Sequence, residues 1–283
     1  VRRRLIALLA LGALSGGCVS EPAPGTNTPA ATACTRLFGT PNAQTGLGPD
    51  QCAPECACGG TVWTPPRYDD AFVADLLRWR NTAPYAPLTA DPYEGPEPPP
   101  ERADTVCAVV RLADEAGAPR YRLADFDSEA AARAAGAVPT HTGRCGVCST
   151  LENLAVYIRQ PDLAGPVRAC GLRGIAEGEA ANLACLRALG FDEPCAQVWY
   201  YNTLHTRRVC LSVCLRDLDQ PYHLPDGGLN PCIQCDEDQS GAVFKAVAGR
   251  TRRNSGLPNA LCRPCAEVRP LVHDYRSAAI SPR

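Results

Sequence analysis

The chain has 283 residues, 28 basic and 30 acidic, with a formal net charge of −2. That balance gives no electrostatic ground for a nucleic-acid partner, and the abundance of arginine (Lys245 is the sole lysine) alongside Ala, Pro and Gly reads as genome composition. Seventeen cysteines are too many for an ordinary cytosolic enzyme of this length and point to an oxidising compartment, where disulfides are their default fate.

The first element is a basic run, Arg2-Arg3-Arg4, followed by ten apolar residues from Leu5 to Leu14, too short to span a bilayer. Leu14-Ser15-Gly16-Gly17-Cys18 then resembles the lipobox of bacterial lipoproteins, with its leucine four rather than three residues before the cysteine. The resemblance covers only these eighteen residues. It implies removal of 1–17 as a signal peptide, lipid on the Cys18 thiol, and Val1 as a GTG start. Val19, rather than aspartate, follows the cysteine, which implies an outer-membrane address. The expected partner is thus a membrane, reached through an N-terminal lipid. Setting Cys18 aside leaves sixteen cysteines, an even number that can pair completely.

Residues 18–33 lack periodicity and read as a tether. The segment 34–104 is small, cysteine-containing and proline-rich: Cys34, Cys52, Cys56 and Cys58 lie in loops, a short helix is expected from Asp69 to Arg80, and the prolines of 91–100 mark a boundary. Residues 105–283 form the main domain. Thr105–Leu112 and Arg120–Leu123 read as a hairpin, Asp127 or Ser128 caps a helix ending at Gly136, and a brief strand from Ala137 leads to His141. Ser149-Thr150-Leu151-Glu152 is a capping box with Ser149 as the cap. Further helices are expected at 179–189, at 195–218 with a break near Thr206, and at 241–248 capped by Asp238 or Ser240. The expected fold is α+β, mainly α: a disulfide-rich helical domain preceded by a small antiparallel hairpin.

Candidate chemistry sits in five places. Cys145-Gly146-Val147-Cys148 at a helix start resembles a thioredoxin-like redox pair, since free helix amides lower a thiol pKa; neither the needed downstream strand nor a cis-proline segment is evident, and a structural disulfide role competes. The same pair with His141, together with Cys232/Cys235 and Cys262/Cys265, has ligand-like spacing for zinc or copper, although in an oxidising compartment such pairs become disulfides. Cys210 and Cys214, one turn apart, cannot bridge each other and each need a partner on a neighbour, with Cys170, Cys185 and Cys195 as candidates. Asp236 to Gly241 matches half of a calcium loop, but Val247 stands where a glutamate should close it.

Arg250, Arg252, Arg253 and Asn254 offer a pocket for a carboxylate, phosphate or sulfate, against the plainer reading of a helix end satisfied by its cations. His205, beside Tyr200 and Tyr201, and His273-Asp274 are conceivable acid–base groups without a nucleophile motif. The leading expectation is a binding or structural protein of the bacterial envelope without a cofactor, its protein or small-molecule partner open. The alternatives are a thiol or metal protein at His141/Cys145/Cys148, and an enzyme or anion site at Arg250–Asn254 and His205.

Overall fold

The computed structural model describes residues 36–58, 61–99 and 104–280, without the side chains of Arg36, Leu37, Cys58 and Thr61. The expected signal peptide, the tether, Cys18 and Cys34 lie outside the described residues.

In chain order the elements are β1 (Arg36–Leu37), β2 (Cys56–Cys58), β3 (Thr61–Trp63), α1 (Asp70–Leu76), β4 (Arg80–Asn81), β5 (Val106–Glu115), β6 (Ala118–Phe126), α2 (Glu129–Ala134), β7 (Val138–Thr142), α3 (Leu151–Arg159), α4 (Ala164–Glu177), α5 (Glu179–Ala188), α6 (Glu193–Arg216), α7 (Pro231–Ala248) and β8 (Arg263–Pro264). The fold is α+β and mainly helical, with an antiparallel hairpin, β5–β6, ahead of helices α2 to α7.

That hairpin, β5–β6, is longer than its apolar core predicts and turns at Ala116-Gly117, both with positive φ (51° and 76°), as a tight hairpin requires. It also acquires neighbours. β7 joins β5 antiparallel and β4 joins β6 in parallel, giving a four-stranded sheet in the order β4-β6-β5-β7. The central strand β5 is covered on both faces, which is why Val106 to Val110 form an unbroken buried run. Val106, Ala108 and Val110 meet α2, while Val109 enters the main core with α1, α3 and α6.

Side-chain caps explain where most helices begin. Asp69, Ser128, Thr150, Asp192 and Asn230 each accept from the backbone N–H three residues on. Several expectations are corrected here. Thr150, not Ser149, caps α3. α6 runs unbroken through Thr206, and α7 begins at Pro231 because Asn230 caps it, so Asp236, Asp238 and Ser240 are helical and form no calcium loop. α1 stops at Leu76. α4 is an additional helix that starts without a side-chain cap and carries three glycines. One of these has a packing reason: a Cβ on Gly174 would come within 2.7 Å of Asn182 Cβ, so glycine lets α4 close on α5.

Seven disulfides link the described residues. Cys52–Cys262 and Cys56–Cys265 tie the first described segment to the last, Cys107–Cys145 ties β5 to the β7–α3 turn, and Cys148–Cys195 ties that turn to α6. Cys170–Cys185 clips α4 to α5, and Cys210–Cys235 with Cys214–Cys232 rivets α6 to α7. Cys210 and Cys214 thus reach separate partners on a neighbouring helix, but those partners are Cys235 and Cys232, not Cys170, Cys185 or Cys195. The described residues fall within one compact unit.

Candidate functional site

The turn 145–148 is occupied by structure. Cys145 and Cys148 belong to different bridges, so they do not form a dithiol pair. Nor are the turn's amides free to stabilise a thiolate. Cys145 N–H donates to Asp125 Oδ1 (2.6 Å) and Gly146 N–H to Ser149 Oγ (2.8 Å). Val147 and Cys148 N–H donate to Val247 and Ala248 carbonyls (both 2.9 Å), closing the C-terminus of α7. A Cβ at Gly146 would sit 2.3 Å from Val247 O, so glycine is needed for this approach.

His141 is fully buried beside the turn. Its Nδ1–H donates to Thr142 O (3.0 Å), leaving Nε2 to accept from Ser149 Oγ–H (2.7 Å). Burial and the nearby Arg250 charge push its pKa well down, so the ring is neutral. The metal reading is corrected by the bridges. Cys145, Cys148, Cys232, Cys235, Cys262 and Cys265 are all disulfide-bonded and offer no thiolate. Cys107, Asp125 and Cys145 form the one ligand-like cluster among the described residues, and two of its three members are bridged to each other.

The arginine loop faces inward, which overturns its reading as an anion pocket. Arg250 is 0% exposed and spends all five N–H groups: Nε on Cys148 O, Nη1 on Thr140 O and Ser255 Oγ, Nη2 on Thr140 Oγ1 and Ser149 O, at 2.7–3.2 Å. A relay extends from it. Thr140 Oγ–H donates to Tyr275 OH, Tyr275 OH to His273 Nδ1 (2.7 Å), and His273 Nε2–H to Ser255 O (3.0 Å). His273 is therefore a buried neutral member of this network, its pKa lowered to about 3 by burial and Arg250. It has no Asp274 dyad.

Arg252 donates to Tyr157 O, Gln160 O and Pro258 O and lies over the Tyr157 ring, capping the C-terminus of α3. Arg253 bridges Glu237 and Glu267, and Asn254 donates to Thr142 O and Gly249 O. A loop legible as cationic is a set of internal braces.

His205 lies on α6 against the segment of Tyr93, the two rings stacked at 4.3 Å. Its Nδ1 is 3.0 Å from Ser240 Oγ, which suggests a base and a nucleophile, but the proton count runs the other way. Thr206 donates its hydroxyl to Asp236 and so accepts from Ser240, 3.0 Å away; His205 Nδ1–H must then donate to Ser240. Ser240 is fully buried within α7, without free amides around it. Asn202 Nδ2 completes the cluster on Asp236 (3.1 Å), whose carboxyl pKa is raised by burial. This is a polar seam joining α6 to α7.

Beside that seam lies the feature that no motif announced. α4, α6 and α7 enclose an open groove of about 650 Å³, roofed by none of them. Val167, Ile233 and Phe244 form its inner wall; Leu172, Ile175, Leu211 and Leu215 stand at its mouth, with Leu215 61% exposed. Its floor is the ionic knot in which Glu237 sits between Arg253 and Arg263, which hold its carboxyl below its ordinary pKa against the burial that pushes it up. The only sequence signal for it was surplus: Leu211, Leu215 and Leu218 repeat at helical spacing beyond what pairing α6 with α7 consumes.

Residues 179–270 match a family of unknown function, DUF8771. The match spans α5, α6, α7 and the arginine loop, and thus most of the groove's wall and floor, but less than half of the chain. No curated protein and no solved structure matches.

Proposed function

We propose that this is a ligand-binding protein of a bacterial cell envelope, held at the membrane by lipid on Cys18 and binding an apolar ligand in the α4–α6–α7 groove. One observation carries the binding reading: the groove's 650 Å³ falls in the range of about 300–1,000 Å³ that suits small-molecule sites, and its mouth leaves large aliphatic side chains in water. Dense disulfide bonding supports an oxidising compartment. The lipobox-like run supports the anchor, and among the described residues no helix is long and apolar enough to cross a membrane. The address follows Val19: the outer membrane, with the domain facing the periplasm or the cell surface.

Two experiments test this. Protein isolated from cells, washed and extracted with organic solvent should release an apolar molecule at near-equal molar ratio, which Leu215→Glu abolishes; identical extracts from both proteins would remove the binding reading. For the anchor, Cys18→Ser should leave the protein out of the detergent-soluble lipoprotein fraction, while unchanged partitioning would refute lipidation there.

A further inference from the structure

We propose that the groove takes a single-chain anionic amphiphile, a long-chain carboxylate; this rests on reading the groove as a ligand site. Charge decides the class. Six of the side chains lining the groove are cationic and three are carboxylates, in a chain whose formal net charge is −2. The carboxylates are already engaged: Glu237 by two arginines, Asp236 by Asn202 and Thr206, Glu179 by the Tyr200 hydroxyl. Two cations have no carboxylate partner: Arg168 lies over the Tyr222 ring and Arg207 stands exposed on α6, and among the described residues neither has a carboxylate within 4 Å.

A neutral hydrocarbon would fill the walls yet leave these cations against an apolar medium; an anionic head with one tail meets both demands. The aliphatic stems of the arginines add apolar surface alongside the leucines.

The test uses cells producing the full chain. They are fed either a diazirine-bearing palmitic acid or the matching hexadecanol, then irradiated, and the adducts are mapped after reduction and digestion. The acid should label peptides of α4 and α6 about tenfold more than the alcohol, and Arg168→Ala/Arg207→Ala should bring the acid down to the alcohol's level. Equal labelling of the groove by both probes would overturn the carboxylate assignment and leave the apolar site standing. Labelling by neither, or only outside α4, α6 and α7, would overturn the site itself.

Discussion

Arg250 shows how far a single side chain can be misjudged from sequence. Within Gly249-Arg250-Thr251-Arg252-Arg253 its charge is legible, but the direction it faces is not, because that depends on Thr140 and Cys148 more than a hundred residues away. Arg250→Met leaves buried carbonyls and hydroxyls without donors and should cost about 3–5 kcal/mol, read as a lower urea midpoint in equilibrium unfolding. Unchanged stability would mean the network is dispensable. His273 gives a pH signature. Its folded pKa of about 3 lies below its ordinary 6.5, so as pH falls through 6.5 the unfolded chain takes up a proton that the native state refuses. Stability should therefore drop by up to about 1.4 kcal/mol per pH unit below 6.5 relative to His273→Gln, which lacks the titrating ring. The buried carboxyls Asp192 and Asp236, with raised pKa, act in the opposite sense but are common to both proteins and cancel in the comparison. Parallel stability–pH curves for the two proteins would rule this out.

Helix ends and strand runs were readable where local chemistry decides them. The Asp69 and Ser128 caps, the apolar run of β5 and the Gly249 stop all follow from short stretches of chain. α4 was not readable, because glycines and Pro166 argue against a helix and only packing on α5 with the Cys170–Cys185 bridge overrules them. The start of α7 was obscured for the opposite reason: acidic residues suited to a cap lie inside the helix, where Asp236 serves the seam with α6. The two bridges between α6 and α7 are expected to be unequal to the hydrophobic contacts around them, since the α6 face toward the groove lacks a covering neighbour. Cys214→Ser/Cys232→Ser should lower stability by about 2–5 kcal/mol and loosen the groove end near Leu215 first. Hydrogen exchange would show this as faster exchange at 211–218 than at 195–202; uniform change along α6 would contradict it.

At the scale of the whole molecule, the helical, disulfide-stapled class was legible from cysteine count and periodicity, while connectivity was not. Pairing is a condition on distance in three dimensions, and Cys232/Cys235 or Cys262/Cys265 look alike as metal knuckles and as ends of separate bridges until their neighbours are known. The groove was hidden for a similar cause. It is defined by the faces that α4, α6 and α7 leave uncovered, and a sequence records apolar faces without recording which are met.

The bridges Cys52–Cys262 and Cys56–Cys265 give the chain a further property. A mechanical pull applied between its two ends travels through these sulfurs and passes from one terminal segment directly to the other. The four-stranded sheet, the helices and the groove all lie between these bridged segments, and they are shielded from the stretching force for as long as those two bonds hold.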